Sequence, residues 1–204
     1  MRLTLTVLFF LITSSGYGQY DSILHKSFIE KRPFLSNFYR KTLKIHDATF
    51  QGKQAIIDSL KAFGQRHNDE SLVTEAALAQ AWLQSLESTP KKLKTALMRE
   101  FIASSIKKKD HISTARAYRT LAELYWRIDE NYELAFECYF KNIETGKLLT
   151  EDVYPEMMTD CASIGKAYYS FKEYPKAIMY LKEGLQHKPP DKMAPIQSDI
   201  RNTI

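Results

Sequence analysis

Histidine, cysteine and carboxylate side chains are where this 204-residue chain would carry reaction chemistry. The five histidines, His25, His46, His67, His111 and His187, are scattered across turns and segment ends. None has a partner four residues along a helix, the spacing that puts two ligands on one metal. Glu100, Glu123 and Asp160 have no evident pairing for acid–base work. No glycine-rich phosphate loop and no nucleophile elbow occurs. Cys138 and Cys161 fall on segments expected to be neighbouring helices. Their separation allows a disulfide, and it equally allows two small buried apolar residues at packing positions. With no histidine pair nearby they make a poor zinc site. No catalytic constellation, cofactor site or metal ligand set emerges, and the isolated polar side chains read as solvated surface.

Composition sets the class of molecule. Apolar residues make up 44% of the chain and charged residues 26%, a balance that supports a packed core rather than disorder. Glycine and proline number seven each, too few for a loop-rich β protein. The net charge is +5, and the basic residues are dispersed apart from Lys107–Lys109, so no nucleic-acid footprint forms. The opening "MRLTLTVLFFLITSSGYGQ" has a positive start at Arg2, an apolar run from Leu3 to Ile12, and Gly16 and Gly18 at −3 and −1 of a cut before Gln19. Residues 1–18 therefore read as a secretory signal peptide, and the apolar run is too short for the roughly 20 residues of a membrane helix. The expected location is the periplasm or cell envelope.

From Phe50 onward apolar residues recur at helical spacing. Ile56, Ile57, Leu60 and Phe63 form one stripe, and Leu72, Ala76, Ala79, Leu83 and Leu86 another. Asp69 or Ser71, Thr89-Pro90, and Ser113 or Thr114 are expected to cap successive helices, and Pro155, Pro175 and Pro195 to open later ones. No alternating strand pattern competes, so the chain is expected to be all α. Residues 19–49 hold a short helix that would cap the first end. Leu78-Ala79, Leu121-Ala122 and Ile164-Gly165 then recur at a constant interval of 43 residues. A further copy begins near Pro195 and stops within its first helix. A lone helix cannot bury its apolar face, so a longer protein is expected.

The stretch "SIGKAYYSFKEYPKAIMYLKEGL" resembles a tetratricopeptide repeat. The matching positions are Cys161, Ile164, Gly165, Tyr168, Ala177, Leu181 and Pro189, with Cys161 and Leu181 standing where the family has aromatics. The preceding copy supplies Tyr118, Leu121, Ala122, Tyr125, Ala135 and Tyr139, with one extra residue in its turn. Two copies, 115–148 and 158–191, thus follow degenerate helical repeats over 50–114, and 195–204 starts another. The spacing has a physical reason. Helices of a pair approach closely only where side chains are small, so Gly165 and Ala177 should mark the contact, with Tyr168 and Leu181 filling the wedge beside it.

The resemblance implies a right-handed superhelical stack of antiparallel helix pairs with a concave face. Carried over, the groove positions are Arg116, Arg119, Thr120, Glu123, Trp126 and Arg127, then Thr159, Ala162, Ser163, Lys166, Tyr169 and Ser170. Trp126 and Tyr169 share a repeat position and are expected side by side. Cations flanking two aromatics would suit an extended acidic peptide. In this reading the chain is a protein-binding module in the cell envelope, the input region of a longer signalling protein with a downstream kinase or DNA-binding region. Alternatively, it is the helical wall of an exported enzyme whose active site lies elsewhere.

Overall fold

The computed structural model describes residues 20–39, 41–42, 49–87 and 91–187. The leader, Thr89-Pro90, Pro189 and the copy beginning at Pro195 lie outside the described residues. Within them every regular element is helical: α1 (Phe28–Tyr39), α2 (Phe50–Arg66), α3 (Glu70–Glu87), α4 (Lys91–Lys107), α5 (His111–Leu124), a π-turn (Tyr125–Asp129), α6 (Tyr132–Gly146), α7 (Met157–Ser170) and α8 (Tyr174–Gln186). No described helix is long and apolar enough to cross a membrane. The chain divides into two compact units, Met1–Leu83 and Gln84–Ile204.

In the first unit, the expected short helix of the N-terminal segment is α1. A reciprocal cap starts it: the Glu30 amide donates to the Ser27 hydroxyl, and the Glu30 carboxylate accepts from Ser27 N–H at 2.9 Å. Thr49 caps α2 by accepting from Gly52 N–H. The apolar stripes of α2 and α3 bury Ile57, Leu60, Phe63, Leu72, Ala76 and Leu83 against Tyr20, Ile23 and Phe38. Burying each such side chain is worth about 1.5–3 kcal/mol. A β-carbon on Gly64 would lie 3.0 Å from both the Leu72 β-carbon and Val73 N, so the α2–α3 turn is drawn in tightly.

Asp69 is the hub of this unit. Its carboxylate accepts from the Ser71 and Leu72 amides at the start of α3, from His25 N–H at 2.7 Å, and from Lys31 Nζ at 3.0 Å. Lys31 also reaches the Ser71 hydroxyl. Both members of the ion pair are buried, at 2% and 4% exposure. Burial alone would raise the Asp69 carboxyl, but hydrogen bonds from Ser71 and His25 and the Lys31 charge outweigh it and hold it at about 2.

In the second unit, α5 and α6 form one antiparallel pair, and α7 and α8 the next. The cap of α5 departs from expectation. Asp110, not Ser113 or Thr114, precedes the helix, and its carboxylate accepts from Ser113 N–H at 3.0 Å. An anion there also suits the partial positive charge of the helix start, while Ser113 and Thr114 are buried in the first turn. Pro155 lies in the turn before α7 rather than at its first position, and Pro175 opens α8 as expected. Cys138 and Cys161 are buried free thiols, so packing accounts for both. Burial pushes them up to about 11 and about 12.

Helix ends repeat a single device. Asn68, Lys109 and Lys172 take left-handed φ values of 55°, 56° and 60°. The next residue's N–H then closes back on Gly64, Ser105 and Tyr168 at 2.9, 3.0 and 3.1 Å. Glu130, at φ 51°, does the same after α5, but Asn131 N–H reaches back to Tyr125 across one residue more. That is where the extra residue of this copy resides. Tyr125 and Tyr168 are 43 residues apart, whereas Glu130 and Lys172, and Ala135 and Ala177, are 42 apart. The π-turn accommodates the difference, since it uses more residues per rotation than an α-helix.

The Gly165 crossing is as close as its spacing requires. A β-carbon there would lie 2.7 Å from Leu181 Cγ and 3.2 Å from the Ala177 carbonyl. Ala177 and Leu181 are buried, as are Leu121, Ala122, Tyr125, Ala135 and Ile164.

Two outcomes follow. Gly165→Leu should cost about 1–3 kcal/mol or more through overpacking, read as a lowered thermal midpoint; an unchanged midpoint would show that the crossing is loose. Asp69 is depressed in the folded state, so its stabilisation is complete above the unfolded value of 3.8 and is lost as pH falls through about 2. Asp69→Asn should therefore remove about 2 kcal/mol near neutral pH and flatten the urea midpoint between pH 4 and 2. A variant tracking the parent throughout would remove the hub from this account.

Candidate functional site

The face shared by α5 and α7, the first helices of the two pairs, carries the residues expected to line a groove. Their fates differ. Arg119 projects from α5 onto α7. Its guanidinium donates from Nη1 to Asp160 Oδ1 at 2.6 Å and from Nη2 to Glu156. Asp160 is completely buried, and its second oxygen accepts from the Tyr154 hydroxyl at 2.8 Å and from Asn142 Nδ2 at 3.0 Å. Asn142, on α6 and also completely buried, donates its other amide hydrogen to the Ala115 carbonyl at 3.0 Å. One carboxylate thus joins α5, α6, α7 and the turn before α7.

Electrostatics follow from that enclosure. Burial pushes the Asp160 carboxyl above its ordinary value, with Arg119 the main counterweight. Burial acts against the charge on Arg119, yet Glu156 and Asp160 more than compensate and raise it further. Burial and the Asp160 charge push the Tyr154 hydroxyl well above its usual range. Tyr154 and Asn142 donate to one oxygen of Asp160 and Arg119 to the other, so both carboxylate oxygens are engaged within the cluster. It offers neither a free base nor a free acid.

Trp126 has an inward role too. Its indole packs edge-on against Tyr132, Phe136 and Phe171 at 4.9, 6.1 and 5.7 Å between ring centres. Tyr169, half exposed, packs on Tyr174 at 5.4 Å instead. Trp126 and Tyr169 thus make separate ring contacts, Trp126 with rings at the α5–α6 and α7–α8 turns and Tyr169 with Tyr174. Arg116 is buried on α5 and Glu123 half-buried, while Arg127 and Lys166 are exposed. Tyr118 is half-buried under Lys141, whose ammonium sits 5.9 Å from the ring centre. Tyr168 stacks on Tyr180 at 5.7 Å and meets Phe136 at 4.6 Å. Among the described residues no group of three or more His, Cys, Asp and Glu side chains is placed to hold a metal.

Glu156, Tyr154 and Asn142 were not singled out by motif or spacing, and Asp160 read as solvated surface. One signal was available for Asn142. It stands 42 residues before Gly184, as Ala135 does before Ala177. A β-carbon on Gly184 would lie 3.2 Å from the Met158 carbonyl, and Met158 follows Ala115 by 43 residues. The second helix of each pair therefore meets the same carbonyl of the first, by contact in one copy and by an amide hydrogen bond in the other.

Removing the cation exposes the consequence of burying Asp160. Arg119→Met should destabilise the second unit by about 3–5 kcal/mol at pH 7, the usual cost of stranding one member of a buried pair. The loss should shrink at acidic pH, where a protonated Asp160 needs no counter-ion. Urea midpoints of parent and variant at pH 7 and pH 4 decide it, and a pH-independent difference would mean that the charge is not what Arg119 contributes. No protein-family model, curated protein or solved structure matches the chain.

Proposed function

We propose that this chain is a non-catalytic, tetratricopeptide-like binding module of the cell envelope. Its helix pairs would stack as a right-handed superhelix and hold an extended peptide segment of a partner protein. It would serve as the sensory or interaction region of a longer signalling protein. One observation carries the reading: the α5–α6 and α7–α8 pairs repeat the same crossing, with Asn142 against the Ala115 carbonyl and Gly184 against the Met158 carbonyl. Repeated crossings between like pairs are how stacked repeats present one continuous face to a ligand.

The peptide contacts are narrower than residue type alone implies. Arg119 is committed to Glu156 and Asp160, and Trp126 to its ring cluster, so both act as floor. Arg127, Lys166 and Tyr169 are exposed and would supply the contacts, with preference for a segment carrying carboxylates. Two solvent-facing cations give modest affinity that weakens as salt rises.

Peptide-display selection on the full chain tests this. Acidic, aromatic-containing sequences should be enriched, and their binding should fall at least about tenfold in Arg127→Glu/Lys166→Glu and in Tyr169→Ala at unchanged helicity. Absence of enrichment, or binding indifferent to these changes, would refute the reading. Export is checked separately by N-terminal sequencing of the secreted product, which should begin at Gln19; a product beginning at Met1 would remove the envelope from the proposal.

A further inference from the structure

We propose that the end of the second unit formed by the α4–α5 turn and the close of α6 is a peripheral contact surface for an anionic lipid membrane. Ile106, in the last turn of α4, is 53% exposed. Leu148, two residues past α6, is 68% exposed, the highest of any large apolar side chain among the described residues. Both line one cleft of about 260 Å³, together with His111, Tyr118 and Lys141. Lys107, Lys108 and Lys109, all exposed, connect Ile106 to the start of α5 at His111, so this run of cations borders the same cleft. Asp110 turns inward to cap α5, Lys141 is paired with Glu137, and among the described residues the acid lining the cleft is Glu144. The patch is two aliphatic tips in a basic surround.

Composition selects a lipid surface over other partners. Protein-binding hot spots are rich in Trp, Tyr and Arg and poor in Leu, and lysine is depleted from protein interfaces. Single-stranded nucleic-acid sites set their cations among exposed rings on which bases stack. Here the cations are lysines and the exposed apolar groups are aliphatic, a pairing that suits the boundary between headgroups and acyl chains of an anionic bilayer. The backbone suits it as well. The amides of Lys108, Lys109 and Asp110 donate to the Ser104, Ile106 and Ser105 carbonyls, and those of Lys147, Leu148 and Leu149 to Ile143, Thr145 and Gly146. Both tips can therefore leave water without carrying an unpaired N–H with them. Each lysine close to an anionic surface strengthens attachment about fivefold, and the aliphatic side chains add contact that salt does not screen.

The test is a local one on the full 204-residue chain. Cys138 and Cys161 are buried, so an environment-sensitive dye can be attached selectively through Leu148→Cys. Vesicles of equal parts phosphatidylglycerol and phosphatidylcholine should shift its emission to the blue, and vesicles of phosphatidylcholine alone should not. Adding Lys107→Gln and Lys109→Asn should raise the lipid concentration at half-shift at least about tenfold; asparagine suits the left-handed φ of 56° at position 109. Ile106→Ser, an exposed change, should raise it several-fold. An unshifted dye, an equal shift with neutral vesicles, or a half-shift indifferent to the lysine changes or to Ile106→Ser would each overturn the proposal. So would binding of a single-stranded oligonucleotide as tightly as the anionic vesicles, which would mark a general anion site. Arg127→Glu/Lys166→Glu should leave the titration unchanged, so failure here and failure of the peptide reading are separately visible.

Discussion

A carboxylate with no access to water governs the second unit. Asp160 can exist there as an anion only while a cation and two donors surround it, and these come from three different elements. Arg119 must point from α5, Asn142 from α6, and Tyr154 from the turn that introduces α7. Apolar contact tolerates sliding by fractions of an ångström; a buried charge with three directional partners does not. The cluster therefore fixes the register of one helix pair on the next more sharply than the surrounding alanines and leucines do. Such specificity comes at little net gain in stability, because desolvation offsets much of the Coulomb attraction.

The first unit reaches a similar solution with different parts. Asp69 is both the cap of a helix and the counter-ion of a buried lysine, so starting α3 and anchoring α1 are one event. In both units a single acidic side chain does what a larger hydrophobic contact would otherwise have to do. The difference lies in the donors. The Ser71 hydroxyl, the His25 amide and the Lys31 ammonium together hold Asp69 ionised, whereas Asp160, fully buried, relies mainly on one guanidinium and is correspondingly less comfortable as an anion.

Much of the helical architecture could be read from residue order. Ile57, Leu60 and Phe63 lie on one face by spacing alone, and each is buried. The small residue Gly165, met by Ala177 and Leu181, was legible because close helix contact admits few residue types. Two kinds of feature were not legible. Arg119 looks like any solvent-facing arginine, since nothing local reveals that its partners lie 37 and 41 residues downstream. Trp126 likewise carries no mark of which rings will surround it, because aromatic packing depends on how two turns come together in space. The cap of α5 was misplaced by one turn for a simpler reason: Ser113, Thr114 and Asp110 all favour helix starts, and only the buried position of the hydroxyls separates them.

The π-turn after Tyr125 bears on how such a chain tolerates change. An inserted residue in a helix ordinarily rotates everything beyond it by about 100° and turns a buried face outward. Here the excess is confined to five residues, and the closing hydrogen bond, the left-handed residue and the following helix all resume their places. The two copies differ in length yet repeat the same closing hydrogen bond and the same crossing of second helix on first. A residue gained or lost at this turn would therefore leave the core of the following helix unmoved. Periodicity in the folded object is then a property of contacts rather than of residue count.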